Sequence, residues 1–64
     1  MTHTEQEARA MGYTRKVYIE GGMEEGHFLV KPETDLDGIF KAYSLDWEPG
    51  YYMINSYNCF IEEA

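Results

Sequence analysis

Ile39-Phe40-Lys41-Ala42-Tyr43-Ser44, Asp46-Trp47-Glu48-Pro49-Gly50, Tyr51-Tyr52-Met53-Ile54, Asn55-Ser56 and Tyr57-Asn58-Cys59-Phe60-Ile61 follow one another with only Leu45 between the first two. Three of these strings are rich in aromatic and aliphatic side chains, and the other two are turn signals. In the first turn signal Pro and Gly are placed to reverse the chain. The second has two residues, the commonest length of a hairpin loop. The stretch therefore predicts three antiparallel strands joined as a meander, with the rest of the chain packed on it.

Moving toward the N-terminus, residues 27–31 read as another strand, ended by Pro32, which cannot donate to a ladder. Residues 33–38 form an acidic loop. Gly21, Gly22 and Gly26 punctuate a further loop. Residues 13–20 alternate, with Tyr13, Arg15, Val17 and Ile19 on one side and Thr14, Lys16, Tyr18 and Glu20 on the other. Thr4 and Glu7 fit a capping box, Ala8 to Met11 are good helix formers, and Gly12 is a natural stop. The expected fold is mainly β (α+β), in one domain spanning residues 1–64. A helical arm (1–12) precedes about five short antiparallel strands (13–61), forming a meander sheet or a small, partly closed barrel. Residues 62–64 are a tail.

Both strand faces carry apolar side chains. Phe28, Val30, Tyr52 and Ile54 point one way; Leu29, Tyr51 and Met53 point the other. A sheet with one solvated face alternates more cleanly. The helix can cover part of the second face and a symmetric copy of the chain the rest. Small cores rarely supply more than about 3–5 kcal/mol without a staple. With one cysteine, Cys59, the chain has no intrachain disulfide. His3 and His27 with that cysteine make no zinc set. Self-association, as a homodimer or larger homo-oligomer, is the remaining expectation.

Net charge is −7, from 12 acidic and 5 basic side chains. Direct binding to nucleic acid or an anionic membrane needs Lys and Arg against phosphates, so neither is expected. A basic protein surface is the expected partner. The charge is uneven: residues 1–16 hold two acids against three bases, and residues 17–64 hold ten acids against two. No apolar run approaches the ~20 residues of a membrane span. The polar start is unlike a signal peptide, and the lone thiol fits a reducing cytoplasm.

Three local strings invite chemical readings. Asp35-Leu36-Asp37-Gly38 has the alternating oxygens of a Ca²⁺ loop, but Glu33 and Ser44 fall where the first and last ligands belong. A solvated turn into a strand is the better reading. The Gly21-Gly22 loop lacks a nearby Lys, and its flanking Glu20, Glu24 and Glu25 would repel phosphate. Cys59 sits among apolar residues with no evident base, as a packing cysteine does. No catalytic residue and no cofactor is expected.

The acids themselves are the main candidate. In a meander alternate loops share an end, which would gather Glu20, Glu24, Glu25, Asp46, Glu48, Glu62 and Glu63 there, with Trp47 among them as an apolar anchor. Neighbouring strands lie ~4.8 Å apart, so carboxylates two strands apart are separated by ~10 Å. That is the scale of phosphate spacing along a nucleic-acid backbone. In size and charge the chain resembles small acidic phage-encoded inhibitors, such as anti-restriction and anti-CRISPR proteins. That resemblance implies a non-enzymatic protein that blocks a nucleic-acid-binding machine. Two alternatives stand beside it: an oligomeric module that sequesters a small molecule or nucleotide, and a structural subunit of a larger complex.

Overall fold

Thr4 starts the helix in the computed structural model, which describes residues 4–56 and 58–63. His3, Tyr57 and Ala64, to which the sequence reading assigned roles or places, lie outside those residues. The helix α1 spans Glu5–Ala10, and the Thr4 hydroxyl accepts the Glu7 N–H at 3.1 Å. Arg9 pairs with Glu5 one turn earlier at 3.1 Å, the favourable order for an (i, i+4) pair. Gly12, at φ +102°, closes the helix in a Schellman turn. There the Gly12 N–H donates to the Arg9 carbonyl and the Tyr13 N–H to the Ala8 carbonyl.

Five strands follow: β1 (Arg15–Ile19), β2 (Gly26–Val30), β3 (Gly38–Ser44), β4 (Gly50–Ser56) and β5 (Cys59–Glu63). They form one antiparallel sheet in the order β4-β3-β2-β1-β5. Strands β1 to β4 are the expected meander. The last connection departs from it. Asn55 and Ser56 pair with Ile39 and Gly38 as the final rungs of β4, so they make no hairpin turn. Strand β5 pairs instead with β1, placing Phe60 opposite Tyr18 and Cys59 opposite Ile19.

The pairing directions explain how. Strands β1 and β3 run the same way, and β4 and β5 both run against them, so β4 and β5 point in one direction. Ser56 and Cys59 are only three residues apart, too few for a crossover between parallel strands. Strands β4 and β5 are the two edges of the sheet, so the sheet must curl to bring those edges within reach of so short a connection. It stays open, since β4 and β5 share no ladder. Glu62 and Glu63, expected in a tail, belong to β5.

Each face has its own core. Val17, Ile19, Phe28, Val30, Phe40, Ala42 and Ile54 form the larger, with Leu36, Trp47, Tyr52 and Cys59 packed around it. Full burial of a side chain such as Phe28 or Ile54 contributes about 1.5–3 kcal/mol. Ala8, Tyr13, Leu29 and Tyr43 form the other, with Leu45 and Tyr51 beside them. The helix thus covers part of the second face, through the buried Ala8. Tyr13 is a correction: it belongs to this helix-side cluster and not with Val17 and Ile19. The Schellman turn delays β1 to Arg15 and breaks the alternation on which the expectation rested.

Candidate interaction surface

Two loops meet at the end of the sheet toward which β1 and β3 run: residues 20–25 and residues 45–49. They carry Glu20, Glu24, Glu25, Asp46 and Glu48, and neither contains a Lys or Arg. Hydrogen bonds fasten the loops to each other and to the strands. The Trp47 indole N–H donates to the Glu25 carbonyl at 3.1 Å, and the His27 N–H donates to Asp46 Oδ2 at 2.8 Å. The Glu25 carboxylate accepts from the Tyr18 hydroxyl at 3.1 Å and from the Gly21 N–H at 3.4 Å. That carboxylate raises the Tyr18 pKa, chiefly through the hydrogen bond. The Tyr52 hydroxyl donates to the Glu48 carbonyl at 2.7 Å.

Gly26 makes the close approach of the loops possible. Its φ is +151°, and a Cβ there would stand 3.2 Å from Asp46 Oδ2 and 3.5 Å from Trp47 Nε1. A side chain would crowd the Asp46 carboxylate, which would have to give by a few tenths of an ångström.

Trp47 is turned inward. Its ring meets Phe28 edge-on at 5.3 Å between centroids and Tyr52 at 5.4 Å. It is an anchor of the fold at the acidic end. The exposed apolar side chain there is Met23, 93% accessible at the tip of the first loop. Sequence reasoning missed Met23, although its place between a Gly pair and a Glu pair was a signal for an exposed tip.

Glu62 and Glu63 do not extend the cluster as the meander implied. Strand β5 runs away from the loop end, and Glu63 lies opposite Lys16 near the start of β1. Glu62 reaches back through His27. Its Oε1 lies 2.6 Å from His27 Nδ1, while His27 Nε2 lies 4.0 Å from Asp46 Oδ2. His27 is thus a junction between β5 and the second loop. No signal in the sequence revealed it, because the pairing of β5 with β1 was not legible.

The bases lie elsewhere. Arg9 is on the helix, Arg15 and Lys16 begin β1, and Lys31 follows β2. Lys31 and Lys41 sit over the rings of Tyr13 and Tyr51, at 5.3 and 5.1 Å. Among the described residues no Lys or Arg pairs with an acid of the two loops.

The other strings keep to the fold. Asp35 accepts the Asp37 N–H at 3.1 Å in a turn that leads into β3. Among the described residues no group of three His, Cys, Asp or Glu is placed to hold a metal ion. Cys59 is half-buried at the start of β5, and burial raises its thiol pKa. No helix is long and apolar enough to cross a membrane among the described residues. Comparison with protein-family models, with curated proteins and with solved structures finds no match.

Proposed function

We propose that this chain is a non-enzymatic interaction protein whose two-loop end seats on a basic, nucleic-acid-binding surface of a partner protein and blocks it. The observation that carries the reading is the segregation of charge. Five carboxylates share one end of the sheet while every Lys and Arg lies outside both loops. The loops are fastened by Trp47, Asp46 and Gly26, so the carboxylates are presented from a built support and lose less freedom on binding. This is the manner of action of the small acidic phage-encoded inhibitors that the chain resembles in size and charge.

The test is capture from a cell lysate, with duplex DNA as competitor and a variant in which Glu20, Glu24, Glu25 and Glu48 are Gln as control. The expected result is a nucleic-acid-binding protein held at low salt, displaced by duplex DNA and by ~0.5 M salt, and lost by the variant. A captured protein that the variant holds equally well, or that DNA does not displace, would refute the reading.

A further inference from the structure

We infer that the free edge of β4 is the face through which two copies of this chain join, by antiparallel pairing about Met53. A sheet edge offers unpaired N–H and C=O groups to any passing strand, and proteins blunt such edges with charge, proline, bulges or shortness. The two edges of this sheet differ in that respect. Strand β5 has five residues, two of them Glu62 and Glu63, and its register with β1 shifts between Lys16 and Val17. Strand β4 has seven residues, Gly50-Tyr51-Tyr52-Met53-Ile54-Asn55-Ser56, without one charged residue or proline. Its register with β3 is unbroken over all seven. Among the described residues no strand pairs with its other side.

Apolar surface adjoins that edge. Met53 is 65% exposed and Ile39, on β3, is 64% exposed. Both lie on the face that α1 covers only in part, since Ile39 shares a strand face with Tyr43, and Met53 with Tyr51.

Charge selects the occupant. An anionic chain repels its own copy wherever acids meet, and β4 is the strand edge where none do. Met53 is the middle residue of β4, so a two-fold axis there sets Met53 against its own copy and Tyr51 against Asn55. Antiparallel pairing also sends the two acidic loop ends in opposite directions, so neither lies beside its twin. The product is one ten-stranded sheet, which supplies a staple that this small core lacks. The inference is independent of what the acidic end binds.

Light scattering and a cross-link test it together. The expected mass is twice 7.5 kDa for the native chain. Met53→Lys is expected to give the single mass with its β circular dichroism retained, and Phe60→Lys on the opposite edge to leave the double mass. A Met53→Cys, Cys59→Ser chain is expected to form an intermolecular disulfide in air, because directly opposed Cβ atoms lie ~4.5–5.5 Å apart. A native chain of single mass at several hundred micromolar overturns the inference. So does a dimer that Met53→Cys fails to cross-link, whatever Met53→Lys does to folding.

Discussion

The Trp47 indole N–H donates to the Glu25 carbonyl at 3.1 Å, across 22 residues of sequence, while the indole ring packs on Phe28 and Tyr52. One side chain therefore joins the larger core to both acidic loops. Trp47→Ala is expected to destabilise the fold by up to about 3 kcal/mol, the lower end of the cost of truncating a core aromatic, because Trp47 is partly buried. Trp47→Phe keeps most of the ring contact and loses the donor, at a cost of about 1 kcal/mol for the hydrogen bond alone. Urea denaturation of the two variants checks the order. Equal losses would mean that the hydrogen bond, and not the packing, holds the loop.

Gly26→Ala separates the loop clasp from the core. The substitution leaves Phe28 and Trp47 in place but forces alanine to φ +151° and crowds Asp46. Backbone strain of this kind costs of order 1–3 kcal/mol. The expected outcome is a lower urea midpoint with unchanged slope. Hydrogen exchange should speed at the His27 amide, because its acceptor on Asp46 is the group displaced.

Alkaline pH should loosen the helix-covered face. Burial, with Glu7 and Glu5 adding, raises the Tyr43 pKa above its ordinary value of about 10. Tyr51 is raised by burial and by its neighbours Tyr13, Tyr43 and Glu7. Burial raises Cys59 as well, beside the larger core on the other face. Each folded-state pKa lies above the unfolded one, so the folded state keeps the proton longer. The stability linked to these groups is complete below about pH 9 and is lost as pH rises through the folded values. Urea midpoints should hold to about pH 9 and then fall. Tyr43→Phe should flatten that fall, and a midpoint equally steep in the variant would show that Tyr43 is not its source.

For the proposed blocking of a basic surface, rim charges set on-rate and salt dependence. Glu24→Gln with Glu48→Gln, neither of which donates or accepts through its carboxylate within the loop clasp, should slow association with the captured partner and flatten its salt dependence. Dissociation should change little. Stopped-flow binding at two salt concentrations reads both rates. A faster dissociation with unaltered association would point to contacts of another kind at these residues.

The capping box at Thr4 and Glu7 and the alternation of Phe28 with Leu29 were legible because each depends on neighbours in sequence. So were the hairpins around residues 20–25 and 45–49, where Gly and Pro mark the reversals. Tyr13 was misplaced because one Schellman turn shifts the phase of a strand, and the turn was visible only as Gly12. The path of β5 was not legible at all. Asn55-Ser56 reads equally as a turn and as two rungs of a seven-residue ladder, and Gly38 and Ile39 on the distant β3 decide between them. Everything that rests on β5 was hidden with it, including the contact of His27 with Glu62 and the removal of Glu63 from the acidic end.

Two engineered cysteine pairs can test that path directly. In the observed register Phe60 lies opposite Tyr18 on the half-buried side of β1. Had Asn55 and Ser56 formed a two-residue hairpin, Phe60 would instead lie opposite Tyr51. Directly opposed residues bring their Cβ atoms to ~4.5–5.5 Å, and small backbone adjustment closes that to a disulfide. In a Cys59→Ser background, Tyr18→Cys with Phe60→Cys should therefore oxidise to a disulfide within one chain. Tyr51→Cys with Phe60→Cys should not. The first cross-link closes a loop of roughly 40 residues, so it should add up to about 4 kcal/mol against urea in the chain-entropy account. Mass spectrometry of the alkylated products distinguishes the two pairs. Cross-linking by the Tyr51 pair alone would restore the simple meander and remove the curl of the sheet.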